Sequence, residues 1–466
     1  VITGPTFEEM LHPQSIAPDV RARAAEARKS APLDPINLYN ITWRNASNQV
    51  NHVVLPKALT GVDARIVVLY GKDYPSGSHK VGAAYSILVE KILFGEVDPA
   101  LHTLVWPSTG NYGIGGAWVG GRMGCKSIVV LPEGMSRERF ERIESYGASI
   151  IRTYGTESNV KEIYDETHRL RQDPNIRIMN QFEQMGNYRF HYHVTGNTIV
   201  ELMAELHAQG IGNGKAAAFV WAMGSGGTNA AADRLKQVFP DCKHVSLEPI
   251  QCPTLFNNGY GSHEIQGIGD KHVTWIHNVW GVDALMCIDD MSCLRGLQVL
   301  TEPIGREALV RRYDADAELV EKLGSLFGIS GICHILGAIK TARYYGFGAD
   351  DVIVTAATDS FDRYPSEMDK LRAKEGALDE ASAVGRIESI FHGQKTDWIQ
   401  DGTRFNRERW HNLKYYTWVE QQGKTVQELD AQRDPAWWEA HQRRVGEIDA
   451  RIAEVRAQTV DHGTRA

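Results

Sequence analysis

From about residue 64 onward, hydrophobic and polar positions alternate between two rhythms. Short apolar runs rich in β-branched residues occupy 65–70, 103–106, 127–131, 149–152, 217–221, 245–248 and 352–355. Runs of this kind belong to strands covered on both faces. Between the first two, Val81, Ala84, Leu88 and Ile92 recur three or four positions apart, which puts them on one face of a helix. Helical patterns also cover 136–146, 195–208, 228–238, 316–327 and 333–345, the last stopped by Gly346. Repetition of strand, helix and strand predicts an α/β body with parallel sheets and crossover helices over 60–370.

The two ends have other patterns. Residues 1–60 are polar and weakly periodic, whereas 380–466 read as helical. That tail holds Trp398, Trp410, Trp418, Trp437 and Trp438, five of the chain's 11 tryptophans, so it should pack on something. In its last helix Val445, Ile448, Ile452 and Val455 form an apolar stripe, and Glu447 stands four residues before Arg451 on the exposed face. Docking on its own domain is the favoured reading, with a dimer arm as the alternative.

Composition narrows the function. The 466 residues are 42% hydrophobic and 23% charged, an ordinary globular balance that excludes collagen-like and disordered chains. With 50 basic against 58 acidic residues the net charge is −8, which offers no footprint for a phosphate backbone, so no nucleic-acid partner is expected. No apolar run approaches the roughly 18 residues of a membrane span, and Glu8, Glu9 and Asp19 interrupt any secretion signal near the start. The six cysteines are dispersed without a C-x-x-C pair, as in reduced cytosolic proteins. The expectation is a cytoplasmic protein away from membranes.

Candidate chemistry lies where strands run into glycine-rich turns that open helices, because ligands of parallel sheets bind at those carboxyl ends. Gly224, Ser225, Gly226, Gly227, Thr228 and Asn229 follow the run 217–221. Free backbone N–H groups and two hydroxyls at the positive end of a helix suit a phosphate, although a plain tight turn has the same pattern. No lysine follows the glycines and no G-x-G-x-x-G is present, which disfavours a nucleoside triphosphate or a dinucleotide. Lys80, after Pro75, Ser76, Gly77, Ser78 and His79, opens the helix that follows the run 65–70. A lysine in a first helical turn opposes the helix dipole, which lowers its pKa and makes it a Schiff-base candidate; a solvated lysine at a helix end is the plainer alternative. Ser108, Thr109, Gly110, Asn111, Tyr112 and Gly113 repeat the arrangement and suit a carboxylate, or serve only as a helix cap. His191 and His193 could share one strand face for a metal, but no third ligand of suitable spacing accompanies them, so no metal is expected. His263 is a candidate pocket wall.

These loops, with Asn180-Gln181-Phe182, Gln266-Gly267-Ile268-Gly269, Gly328-Ile329-Ser330-Gly331, Asp359-Ser360 and Arg363-Tyr364, stand in the order and spacing of fold type II pyridoxal-phosphate enzymes. The chain resembles that tryptophan synthase β-like family over about 65–365, and is most similar to its cysteine synthase and cystathionine β-synthase branch. The resemblance implies two three-layer αβα domains with mostly parallel sheets plus a helical C-terminal extension. Residues 1–60 would join a large domain of 61–100 and 195–375, 101–194 would be a small mobile domain, and 376–466 the Trp-rich extension. It implies pyridoxal 5'-phosphate bound as an internal aldimine on Lys80, its phosphate on Gly224, Ser225, Gly226, Gly227 and Thr228, its phenolic oxygen on Asn111 and its pyridine nitrogen on Ser360. Ser108, Thr109, Gly110, Tyr112, Gln181 and Gly267 would bind an amino-acid substrate. A neutral hydroxyl at the ring nitrogen suits β-elimination over transamination.

Two departures stand out. Tyr112 occupies a position usually held by a small hydroxyl residue, and His79 before the lysine is a feature of the tryptophan synthase β branch. The Tyr112 change and the added tail favour β-elimination from a β-substituted L-amino acid through an α-aminoacrylate. β-Replacement of the cysteine synthase type is the alternative, and a non-catalytic scaffold subunit the second alternative. A homodimer is expected, as in the family.

Overall fold

The computed structural model describes residues 4–108 and 110–463. Its strands are β1 (His52–Val54), β2 (Arg65–Tyr70), β3 (Thr103–Pro107), β4 (Lys126–Pro132), β5 (Ser149–Thr153), β6 (Ile176–Ile178), β7 (Ala216–Ala222), β8 (Lys243–Pro249), β9 (Ala284–Ile288), β10 (Val352–Ala357) and β11 (Ile399–Asp401). Seven of them form one sheet in the order β1-β2-β10-β7-β8-β9-β11, and four form a second in the order β5-β4-β3-β6. All seven runs expected from the sequence are strands. The small sheet is wholly parallel, and the large one is parallel except at its edges, where β1 pairs antiparallel with β2 and β11 with β9.

The sheet order positions the site. β10 lies between β2 and β7 and runs parallel to both, with Val354 opposite Val67 on one side and Phe219 on the other. The segments leaving the carboxyl ends of these three neighbours therefore emerge side by side. Two of them open the helices Lys80–Leu93 and Ala230–Val238. One apolar core contains residues of both sheets together with the helix Lys80–Leu93 and the helix Asn111–Arg122, and a second lies on the other face of the large sheet around the helix Ile329–Tyr345.

Four strands escaped the sequence pattern. β1, β6 and β11 are three residues each, too short for a period, and β11 (Ile-Gln-Asp) lies in the extension that reads as helical. β9 is a continuous apolar stretch that its neighbours cover on both sides. His191 and His193 are also differently placed. The segment His191–Thr195 is a turn of π-helix rather than a strand, so it offers no common strand face. The helix expected over 333–345 begins earlier, at Ile329, and Gly346 ends it in the left-handed conformation at φ +67°.

The extension packs on its own chain. Val445, Ile448 and Ile452 of the helix Pro435–Gly463 enter the core beside Tyr85 and Leu88. Asp449 on the same helix accepts the N–H groups of Phe7 and Glu8. Glu447 and Arg451 do not pair with each other; they pair with Arg444 and Glu454 at spacings of three. Trp410 and Trp418 are fully buried.

Candidate active site

Lys80 is the first residue of its helix, and it is buried rather than solvated. Its Nζ donates to Ser225 Oγ at 3.0 Å and Gln181 Oε1 at 3.3 Å, two residues 145 and 101 positions away. Loss of hydration lowers its pKa to about 8, against the pull of Asp270 and Glu157. Burial, more than the helix dipole expected from the sequence, makes this amine available as a base near neutral pH.

The glycine loop 224–228 has the shape of an anion cradle. Gly226 stands at φ +77°, and a Cβ on Gly227 would come within 2.0 Å of Asn187 Oδ1. A Cβ on Gly224 would press on the carbonyl of Gly267 at 2.9 Å. Among the described residues, nothing accepts from the backbone N–H groups of Ser225, Gly226 or Thr228. Asn187 Nδ2 donates to Ser225 Oγ and to the carbonyl of Gln181, which ties the loop to the segment facing it. Thr228 Oγ1 lies 3.3 Å from both His79 Nε2 and His191 Nε2. Burial holds both imidazoles far below their usual pKa, so they meet Thr228 as neutral rings. His79 in turn stacks on Trp43, with centroids 5.5 Å apart.

The segment facing the glycine loop begins with Ser108, whose Oγ accepts the N–H groups of Gly110 and Gly113 at 2.8 Å and so caps the helix Asn111–Arg122. Thr109 lies outside the described residues. Asn111 Nδ2 donates to Asp359 Oδ2 at 2.6 Å, while its Oδ1 is buried without a partner. Tyr112 turns away. Its hydroxyl donates to the carbonyl of Met179 and its ring packs edge-on against Trp106, since residue 112 faces inward from the helix onto the small sheet. The expectation that Tyr112 meets substrate therefore gives way to a packing role. Gly267, at φ +108°, brings its carbonyl beside Gly224 in the segment 266–270, where Gly269 N–H donates to the carbonyl of Met223.

Ser360 is also engaged elsewhere. Its Oγ donates to Asp362 Oδ1 at 2.7 Å, and it lines a separate cavity of about 560 Å³ with Arg28, Lys72, Arg142 and Asp362. The residue before it, Asp359, is the one that contacts Asn111. His263 is bonded within its own segment: Nε2 donates to the carbonyl of Gly269 at 2.9 Å, and Nδ1 accepts the N–H of Ile265.

Residues 60–300 match the family model described as pyridoxal-phosphate dependent enzyme, over half of the chain. The chain belongs to that family. This pyridoxal-phosphate dependent enzyme is 30% identical over 293 residues to a probable cysteine synthase of Bacillus subtilis (strain 168), a match covering 63% of this chain and 85% of that protein. A cysteine synthase of Staphylococcus aureus is 27% identical over the same length, covering 84% of that protein. A hydrogen sulfide-producing enzyme from Fusobacterium nucleatum, solved with an α-aminoacrylate intermediate, superposes with a TM-score of 0.58. It is 25% identical, and the match covers 72% of this chain and 92% of that one. A cysteine synthase from Entamoeba histolytica, 23% identical with a TM-score of 0.59, shares the fold, with 73% of this chain and 92% of that one covered. The architecture is thus tryptophan synthase β-like with added C-terminal helices, and the cofactor of the family is pyridoxal phosphate.

The donor set of this pyridoxal-phosphate dependent enzyme suits that cofactor. The loop 224–228 can hold its phosphate, Lys80 can bond its carbonyl carbon, and Asn111 has a carboxamide hydrogen to spare for its phenolic oxygen. Several residues around the site carried no signal in the sequence. Asn187 is a polar residue in an unremarkable context and Asp270 stands just beyond the motif 266–269; only folding brings them to Ser225 and Lys80. In the sequence Arg139 is only one position of a helical pattern, yet it is fully buried and donates to Tyr364 Oη at 2.8 Å. Among the described residues, no cluster of three metal-ligating side chains occurs, and no helix is long and apolar enough to cross a membrane.

Proposed function

We propose that this enzyme removes the β-substituent of an L-amino acid, releasing an oxo acid and ammonia. The observation that carries the reading is a pair of titratable groups with opposite displacements. Lys80 is lowered to about 8, and burial raises Asp270 to about 7 against the opposing pull of Lys80. Both groups thus change protonation within about a unit of neutral pH, which supports proton transfer by each of them in a single site. Asp270 Oδ1 is buried with no partner among the described residues, so it is available to a substrate.

When bound, pyridoxal phosphate supplies the electron-withdrawing ring that acidifies the substrate's α-carbon. The protein residues do the rest. The loop 224–228 fixes the phosphate, and Asn111 orients the phenolic side. Ser108, Thr109, Gly110 and Gln181 bind the substrate carboxylate at the start of the helix Asn111–Arg122, where backbone N–H groups favour an anion. Lys80 Nζ takes the α-proton, and Asp270 gives a proton to a departing thiolate or hydroxide. Such leaving groups need an acid, whereas an acetate ion does not. That need favours thiol- or hydroxyl-bearing substrates, and the hydrogen sulfide-producing relative supports it.

β-Replacement is the second reading, favoured by the identity to cysteine synthases. There the same Asp270 would take the proton of an incoming thiol. The deciding assay incubates cofactor-loaded enzyme with L-cysteine, L-serine or O-acetyl-L-serine, alone and with an added thiol. Elimination predicts equal amounts of oxo acid and ammonia, undiminished by the thiol. Oxo acid that falls as a thioether accumulates would assign replacement, and no turnover of any of the three would remove both readings.

A further inference from the structure

Ahead of residues 60–300, the part that matches the family, one face of the chain carries charge against the overall sign. The net charge is −8, yet a groove of about 620 Å³ between the helix Pro18–Ser30 and the segment 39–48 is lined by Arg21, Arg28, Lys29 and Arg44 and, among the described residues, by no carboxylate. Its size is that of a small-molecule site. Arg44 is already neutralised by Glu201 and Glu205. The other three are exposed and have no acidic partner among the described residues; Arg28 gives a hydrogen to the carbonyl of Asp73, which leaves its charge unopposed. Unpaired cations along one concave wall raise the local concentration of anions.

The helix sets the spacing of these charges. Arg21, Ala22, Ala25, Arg28 and Lys29 recur three or four positions apart and share one face, while the acids of the same helix, Asp19 and Glu26, do not line the groove. Arg21 and Arg28 are seven residues apart, and at a rise of 1.5 Å per residue their backbones stand about 10 Å apart, too far for one phosphate or carboxylate to bridge. Ala22 and Ala25 leave an apolar strip between them. Across the groove, Asn45 spends its side-chain oxygen on the N–H groups of Ser47 and Gln49, so its amide hydrogens remain for a ligand. Asn40 Nδ2 donates to the carbonyl of Ala24 at 2.8 Å and fixes this wall to the helix.

We propose that this groove binds a small organic dianion whose negative ends are about 10 Å apart, one held by Arg21 and the other by Arg28 and Lys29. Its body lies on Ala22 and Ala25. The spread of the cations selects a two-ended ligand over a compact one, because a polyphosphate needs its cations to converge on one point. The site is separate from the one at Lys80 and stands whatever reaction proceeds there. It is not remote from it in packing: Thr42 and Arg44 line the groove on either side of Trp43, which is fully buried and stacks on His79, the residue before the lysine.

The test is calorimetric titration of the full, cofactor-loaded chain at low ionic strength with three probes. Azelate carries carboxylates at the two ends of a long chain, succinate brings them close together, and nonanoate keeps the length with a single charge. Azelate should bind at one site, roughly tenfold more tightly than either of the others, the worth of one charged hydrogen bond. Arg21→Gln should bring azelate down to the affinity of nonanoate, and Arg28→Gln should weaken it about tenfold. Arg23→Gln, on the same helix but outside the groove, should change it by less than about twofold. Equal affinity for the three probes, equal losses in Arg21→Gln and Arg23→Gln, or no binding of azelate overturns the proposal. All three arginines are exposed, so their substitution leaves the fold intact.

Discussion

Two faces meet at Lys80, and they are held by different physics. Behind the glycine loop the wall is polar and locked. A Cβ on Gly226 would meet Thr274 Oγ1 at 2.5 Å and His277 Cβ at 2.8 Å, so the loop rests on the segment 274–277. The C-terminal extension holds that segment: buried Lys414 donates to the carbonyls of Trp275 and His277 and to Gln432 Oε1. Trp418 Nε1 donates to the carbonyl of Val273. On the opposite face, the helix Asn111–Arg122 makes close backbone contacts through glycine. Gly115 lies against the backbone of Val81, Gly116 against the ring of Trp106 and Gly120 against Ser127. Directional hydrogen bonds fix atoms in place, as a phosphate cradle demands. Small-residue packing has little angular preference and suits a face that must shift to admit a substrate. The difference gives the extension a structural role: it holds the segment on which the glycine loop rests.

The largest expected effect is at the junction itself. Lys80→Ala removes the base and the cofactor bond together, and oxo-acid formation should fall by about 10³-fold or more with the melting temperature little changed. Asp270→Asn comes next, with kcat down about 10²-fold. Its pH profile carries the sign. If Asp270 is the acid proposed above, it loses that proton as pH rises through about 7, so the wild-type rate should fall on the alkaline side of that point. Asparagine cannot ionise, so that limb should vanish from the variant's profile.

Two further variants weigh the faces against each other. Lys414→Met leaves three buried acceptors without their donor and should cost about 3 kcal/mol, seen in chemical denaturation, while cofactor affinity weakens about tenfold. Gly116→Ala puts a Cβ 2.2 Å from the fully buried Trp106 ring and should cost about 1–3 kcal/mol by overpacking, with KM for the amino acid rising and cofactor affinity unchanged. If the two variants weaken cofactor binding equally, the contrast between a locked wall and a shifting face fails.

The variants also mark where the sequence was readable. Lys80, the glycine loop 224–228 and Asn111 were legible because each follows a strand run and opens a helix, a local pattern. Lys414 was not, because two of its three partners lie 137 and 139 residues away along the chain and its own neighbours suggest only a helix face. For Tyr112 the loop is legible but the direction of the side chain is not. Its direction depends on where the helix begins, and helix phase is fixed by docking on the small sheet. Asp359 and Ser360 are adjacent in an irregular segment, where no period tells which side chain turns inward. Donors from two other segments, Asn111 and Arg139, and from Tyr364 five residues on, decide it.

The sequence by itself determined the alternation of strands and helices, the glycine turns at strand ends and the lysine that opens a helix, since each rests on contacts within a few residues. Tertiary structure alone decided the burial that lowers the Lys80 pKa, the carboxylates that act on it and the docking of the tail on the segment 273–277. Those properties depend on water being excluded by residues far apart in the chain. A local pattern carries no record of such exclusion.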